Sequence, residues 1–239
     1  MMGEVVALTV REVKKWGRSK FILFIMLIQP MVWLGLFGKS FNLRGIASLP
    51  PDVVAQLPPA LRASVADMFN EYLSGIFGGT VDYFSYMAVG MLSVIILFTA
   101  MFSGMSVVWD RRLGFLNKLL VAPIPRGSII LAKMSSSVLR GLFQATLVFG
   151  IAFLFGLQAG DAFNTLDLLG VFAALFLLSM GLSSIFISIS IRVTNWETQM
   201  AVANLLNLPL MFASNALFPI KQMPDWLQTV ARFNPITYA

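Results

Sequence analysis

Five stretches of this chain are apolar for longer than the core helix of a water-soluble domain needs, and each is long enough to cross a lipid bilayer. They run over residues 21–37, 84–108, 129–157, 166–191 and 200–217. About 20 apolar residues in α-helical form span the hydrocarbon layer. Hydrophobic residues make up 58% of the chain and charged residues 12%, against about 45–50% and about 25% in soluble domains. The sequence predicts an all-α polytopic membrane protein with five transmembrane helices over residues 21–239. An N-terminal amphipathic interfacial helix over residues 1–20 precedes them.

The net charge of +6 follows the membrane and forms no soluble patch, so nucleic acid is not an expected partner. Arg11, Lys14, Lys15, Arg18 and Lys20 sit on the N-terminal arm. Arg111, Arg112, Lys118 and Arg126 lie between the second and third apolar stretches, Lys133 near the start of the third is counted with that loop, and Arg192 follows the fourth. Eleven basic residues thus fall on one side, against Lys39, Arg44, Arg62, Lys221 and Arg232 on the other. The positive-inside rule makes the first side cytoplasmic, with the N-terminus there. The loop over 39–82 is then extracellular, broken by Pro50-Pro51 and Pro58-Pro59, with a short helix expected over 60–76. No cleavable signal peptide is expected, because the first apolar run is too long and ends at no small-residue site.

On the N-terminal helix, Val5, Val6, Val10, Val13 and Trp16 gather opposite Arg11, Lys14, Lys15 and Arg18, a pattern suited to the membrane surface and its lipids. A second amphipathic helix is expected over residues 109–122. There Trp109, Leu113, Leu116 and Leu120 repeat at helical spacing, with Asp110, Arg111, Asn117 and Lys118 off the stripe. Pro123 and Pro125 close it. A short helix between spans, on the basic side, offers a grip to a cytoplasmic partner.

Cysteine and histidine are absent, so thiol chemistry and the commonest metal ligand and proton shuttle are excluded. No catalytic, cofactor-binding or metal-ligating set stands out. No carboxylate lies well inside an expected span, which argues against a proton or sodium relay. No phosphate-binding G-x-x-x-x-G-K-[ST] loop is present either. A multi-span chain of this kind either does not pump or borrows an engine, and the helix over 109–122 favours borrowing.

The run from Trp109 to Arg126 resembles the signature loop of type-2 ABC transporter permeases, the group that includes daunorubicin-resistance and nodulation-factor export permeases. Asp110, Gly114, Leu119, Leu120, Pro123 and Arg126 match that pattern, while Arg112 stands where a second acidic residue is common. A second match covers residues 212–238 with Phe218, Pro219, Pro224, Trp226, Leu227, Asn234, Pro235 and Tyr238, and Asn215 replaces a small residue there. The resemblance implies that residues 218–239 form an extracellular motif region. It also implies a sixth span after Tyr238, so a chain ending at Ala239 is expected to be truncated or a five-span form.

The resemblance further implies a half-transporter in a prokaryotic plasma membrane. It would pair with a second permease subunit, as a homo- or heterodimer, and with a cytoplasmic ABC ATPase that binds ATP and Mg. The chain itself would hold no cofactor and no ATPase site. Export of a drug, lipid or glycan, including multidrug resistance, would follow from closure of the ATPases against a coupling helix comprising Trp109, Asp110, Leu113, Gly114, Leu116, Leu119, Leu120, Pro123 and Arg126. A non-transporting membrane scaffold or assembly protein, or a membrane-embedded lipid-modifying enzyme, is the alternative function.

Two polar features remain within the spans. Asn204, Asn207, Ser214 and Asn215 are expected to share one face, serving interhelical hydrogen bonds or lining a pathway or dimer interface. Arg140 is expected to snorkel to the bilayer surface, with substrate or lipid contact as the other reading.

Overall fold

The computed structural model describes residues 2–38, 58–77, 83–157 and 164–239. Helix α1 covers Met2–Arg18, α2 Lys20–Trp33, α3 Pro59–Ile76, α4 Tyr83–Arg112 and α5 Phe115–Val121. Then follow α6 Arg126–Leu154, α7 Thr165–Arg192, α8 Trp196–Phe212 and α9 Asp225–Phe233. Among the described residues there is no strand. The chain is an all-α polytopic membrane protein.

Three helices, α4, α6 and α7, are long and apolar enough to cross a membrane. The other two apolar stretches form shorter helices. Helix α2 has 14 residues and contains Pro30 before a π turn over Leu34–Gly38. Helix α8 has 17 residues, contains Pro209, and gives way to turns where the fifth stretch was expected to stay helical to residue 217. Proline removes a backbone donor and crowds the preceding turn, which explains why both helices are interrupted near their ends.

The bundle is built round α4, which packs against α6, α7, α8 and the π turn. The most apolar 18-residue window of α4 is 83% buried, whereas that of α7 is 28% buried. The outer faces of α6 and α7 present Leu139, Phe143, Phe176 and Leu177 outwards, an apolar belt whose natural solvent is lipid. Small residues let the inner helices approach closely. A Cβ added to Gly104 of α4 would stand 2.7 Å from the Ser190 hydroxyl and 2.8 Å from the Phe186 carbonyl oxygen on α7. One added to Gly90 would stand 1.9 Å from the Ala216 carbonyl oxygen, so only glycine admits that turn against α4.

Several expectations change at this level. The amphipathic helix expected over 109–122 is two elements. Trp109–Arg112 is the last turn of α4, Gly114 takes a left-handed φ of 69°, and α5 begins at Phe115. A left-handed residue ends a helix cleanly and is easiest for glycine, so the apolar spacing continues across a real break. Helix α1 also presents a different inner face. It packs on α6 with Thr9 and Glu12 buried, while Val6 and Val10 are exposed. The helix expected over 60–76 is present as α3, but most of the rest of the 39–82 loop, including Lys39 and Arg44, lies outside the described residues.

Candidate functional site

Two polar stripes run through otherwise apolar helices and meet. On α4, Thr99, Ser103, Ser106 and Asp110 follow one another at helical spacing, and on α6 so do Lys133, Ser136, Arg140 and Gln144. All but Ser106 are buried. Thr99 donates to the Gln144 side-chain oxygen at 2.6 Å. Lys133 donates to the Ser106 hydroxyl at 3.2 Å and forms a very short ion pair with Asp110. Burying such groups without partners is costly, and this pairing is what lets α4 and α6 carry them.

The stripe ends in a network that ties α1 to the bundle. Lys133 also pairs with Glu12 at 3.1 Å, Lys15 with Asp110 at 3.2 Å, and Arg11 with Glu12 at 2.8 Å. Side-chain exposure is 6% for Lys133 and Glu12 and 2% for Asp110. The Arg11 guanidinium lies 3.6 Å from the centroid of the Phe115 ring, at the start of α5, a cation–π contact. A continuous set of contacts therefore runs from α5 through Arg11 and Glu12 to the α4–α6 interface.

Three expected residue roles are corrected here. Asp110 is no part of a partner-facing helix; it is buried in this network. Lys133 is not a loop cation, for it lies inside α6. Arg140 does not snorkel: it is 8% exposed, and its Nε donates to the Ser136 carbonyl at 3.0 Å while Nη2 donates to the Ser103 and Ser136 hydroxyls. Arg111 is also engaged internally, donating to the Val193 and Ile191 carbonyls at 2.8 and 2.6 Å. These lie at the C-terminus of α7, where a cation meets unsatisfied carbonyls and the negative end of the helix dipole.

Beside the network lies a groove of about 550 Å³ between α2 and α4, reached by α1, α6 and α8. Met26 of α2, and Met91, Ile95, Phe98 and Met105 of α4, form its apolar walls. Trp109 and Trp196 pack with ring centroids 4.9 Å apart on its border, and Glu12, Lys15, Trp16 and Arg140 line the charged end. An apolar cavity with a few convergent polar groups is the usual form of a small-molecule site.

The remaining matched residues divide between surface and scaffold. Leu113, Leu120 and Val121 are 71%, 46% and 87% exposed, while Leu116 and Leu119 are half-buried and Pro123 and Arg126 are exposed. The exposed apolar side chains around the Gly114 turn and α5 are therefore Leu113, Leu120 and Val121, and Leu113, like Trp109, also lines the groove. The four polar residues near α8 do not share a face. Asn204 is exposed and Asn207 is buried with its Oδ1 unpaired among the described residues. Ser214 and Asn215 lie beyond the helix, where the Tyr86 hydroxyl donates to Asn215 Oδ1 at 2.7 Å and braces the turn. Gln199, fully buried on α8 with neither amide atom paired among the described residues, is a second such polar residue beside Asn207, and one the sequence did not single out.

In the C-terminal match, Asn234 donates to the Leu210 and Ala213 carbonyls at 2.8 and 2.6 Å and accepts from the Ile236 amide. It closes the end of α8 and starts the 3-10 turn over Pro235–Tyr238. Phe218, Trp226 and Tyr238 are exposed, Pro219 is buried, Pro224 and Pro235 are exposed and Leu227 is half-buried. Exposed aromatics at one end of a bundle suit the bilayer interface.

Comparison with known proteins places these features in a wider set. The family profile described as ABC-2 type transporter matches residues 3–239. A Cyanophora paradoxa chain, ycf38, named as a transport permease, is 32% identical over 92% of this chain and 66% of its own length. A daunorubicin resistance ABC transporter permease protein of Streptomyces coeruleorubidus is 24% identical, covering 72% of this chain and 60% of the relative. Nodulation protein J of Rhizobium leguminosarum bv. trifolii is 23% identical over 67% of this chain and 60% of its own. The chain thus spans about two-thirds of the length of these curated relatives. No solved structure matches it.

Proposed function

The chain belongs to the ABC-2 type transporter family, and from that membership we propose that it is the membrane-spanning permease subunit of an ATP-driven exporter, worked by a separate cytoplasmic ATPase. The observation that carries this reading is the exposure of the apolar side chains Leu120 and Val121 at the end of α5, with Leu113 exposed at the Gly114 turn. An apolar patch at the end of a bundle, beside the basic residues Arg112 and Lys118, is what a soluble partner would bury. ATP and Mg belong to that partner, and the permease pairs with a second permease subunit in a prokaryotic plasma membrane.

The contacts of α5 suggest how force enters. Nucleotide-driven closure of the ATPases displaces α5, and Gly114 lets that helix move as a separate element. Phe115 carries the movement to Arg11, and the Glu12–Lys133–Asp110 network carries it to α4 and α6, which border the groove. The groove is the cargo site in this scheme, opening alternately to each side of the membrane. A tagged chain expressed with its cognate ATPase is expected to retain that ATPase on purification in detergent. Purification of the permease alone, at full yield of both proteins, would remove the proposal.

The same reading assigns the α1–α5 end of the bundle to the cytoplasm. The natural chain has no cysteine, so single cysteines at Ser48 and Asn117 can be labelled on a blank background. An impermeant thiol reagent added to intact cells is expected to modify the residue-48 thiol and leave the residue-117 thiol until the membrane is opened. The reverse pattern would invert the topology and place α5 where no ATPase can reach it.

A further inference from the structure

The charged end of the groove contains more positive than negative groups. Lys15 and Arg140 line it with one carboxylate, Glu12, and the adjoining network adds Arg11, Lys133 and Asp110; among the described residues both carboxylates of this cluster are held by Arg11, Lys15 and Lys133. Arg140 has no carboxylate within 4 Å among the described residues. Its bonds are to one carbonyl and two hydroxyls, all neutral. A buried guanidinium with neutral partners only is costly unless an anion completes it. The indole N–H of Trp16, which follows Lys15 and also lines the groove, is buried and has no hydrogen-bond partner among the described residues. Unused donor capacity therefore collects where Lys15, Trp16 and Arg140 line the cavity, while the rest of the lining is mostly methionine, aliphatic and aromatic, with Gln29, Thr99, Ser106 and Gln144 its uncharged polar members.

We propose that the groove takes an amphiphile with an anionic head, a carboxylate, sulfate or phosphate, seated against Arg140 and Trp16, and an apolar body lying between α2 and α4 against Met26, Met91, Ile95 and Phe98. The Glu12 carboxylate acts on the guanidinium only at longer range and is already held by Arg11 and Lys133; a neutral molecule would leave Arg140 with no anion in contact, and a cationic one would add a like charge to it. Met-rich walls accept apolar bodies of varied shape because the thioether chain adapts its rotamers. The cargo class named here rests on the permease reading, in which the groove is the transport site. Arg140 acts by binding the head group directly, held in place by Ser103 and Ser136.

Four of the five tryptophans, Trp16, Trp33, Trp109 and Trp196, line the groove, so their fluorescence reports what enters it. The test uses the purified full chain in a neutral detergent without nucleotide or ATPase, in the background of Trp226→Phe. A long-chain dibrominated fatty acid is compared as quencher with its alcohol and its primary amine. The acid is expected to quench at a concentration lower by about tenfold or more, the scale of one charge-assisted hydrogen bond. Arg140→Gln is expected to erase the preference, and Arg140→Lys, which keeps the charge, to retain most of it.

Equal quenching by acid, alcohol and amine would overturn the proposal. So would an unchanged preference in Arg140→Gln, or loss of it in both variants with normal unfolding behaviour. Quenching by a brominated anionic phospholipid that the acid fails to displace would make the occupant a resident lipid and overturn the cargo assignment. Absence of quenching in dimeric protein together with its appearance in monomer would give the groove to a second copy. Binding is read without ATP hydrolysis. A chain that prefers the acid yet never couples to an ATPase keeps the site and loses the transport reading, and the converse removes the site alone.

Discussion

Lys133→Met is expected to destabilise the bundle by about 3–5 kcal/mol, the scale of removing one partner from a buried ion pair. The Lys133 ammonium lies between the Glu12 and Asp110 carboxylates. Without it, both remain buried and close to one another with like charge. Arg11 and Lys15 still hold one carboxylate each, which places the expected loss toward the lower end of that range. Lys15→Ala makes the contrast: the Lys15 side chain is 51% exposed, and a solvent-screened pair contributes about 0–1 kcal/mol. Thermal unfolding in detergent should therefore fall sharply for Lys133→Met and scarcely move for Lys15→Ala. Adding Glu12→Gln to Lys133→Met should recover part of the loss by removing one orphaned charge. Equal, small effects for both lysines would show that α1 is not anchored through this network. Limited trypsin digestion, cutting at Arg11, Lys14 or Lys15, reads the same release of α1 directly.

The combined Leu120→Asp and Val121→Asp substitution should abolish retention of the ATPase while leaving the permease folded. Val121 is 87% and Leu120 46% exposed, and neither belongs to the buried core, so their replacement spares it. Burial of a Leu- or Val-sized side chain in an interface contributes about 1.5–3 kcal/mol, and each ~1.4 kcal/mol is tenfold in affinity. Two such losses, with two carboxylates added, weaken association by at least about a hundredfold. Lys118→Ala, an exposed charge nearby, should change it little, since rim charges act mainly on encounter rate. Leu116→Asp is the poorer test, because Leu116 is half-buried and its substitution disturbs the fold as well as the surface. Retention of the ATPase by the doubly substituted chain, with normal unfolding, would place α5 in the lipid headgroup region instead.

Much of the helical layout is visible in the sequence because hydropathy over a long window registers the average, and the averages here are high. What that average hides is the minority of polar residues. Serine and threonine lower mean hydropathy only slightly, so Thr99, Ser103 and Ser106 vanish within α4, although their spacing with Asp110 marks one face. Lys133, Ser136, Arg140 and Gln144 mark a face of α6 in the same way. Those two stripes were legible as patterns; their pairing was not, because it depends on α4 and α6 being neighbours, which periodicity does not state. Arg140 shows the cost of judging one residue alone. A lone arginine in the cytoplasmic half of an expected span fits snorkelling; in the structure it stands midway along α6, held inward by the Ser103 hydroxyl of α4 and by Ser136 of its own helix.

The helix over 109–122 fails for a different reason. Apolar spacing continues through Leu113 and Leu116, but spacing is indifferent to φ, and Gly114 uses the one backbone region where it is favoured over every other residue. The glycine between charged and apolar runs was the available signal for a C-terminal stop. Glu12 is similar: on a basic amphipathic helix it reads as an isolated acid, and its role emerges only when Lys133 is placed beside it. The C-terminal match was visible as a pattern, and its chemistry was not. Asn234 and Pro235 sit together as the motif suggests, while the hydrogen bonds from Asn234 to Leu210 and Ala213 show that it caps α8.

The central claim is that ATP hydrolysis by a separate subunit moves cargo through this chain by way of α5. Its most direct measurement is uptake of a fluorescent anionic amphiphile into inside-out vesicles holding the permease and its ATPase, with ATP supplied outside. Accumulation is expected with ATP and Mg. It should be absent with a non-hydrolysable analogue, and near the background of permease-free vesicles for the Leu120→Asp and Val121→Asp chain. ATP-dependent accumulation that persists at the wild-type rate in that chain, with the ATPase present, would contradict coupling through α5. No ATP-dependent accumulation of anionic, neutral or cationic amphiphiles by the wild-type complex would contradict the exporter itself.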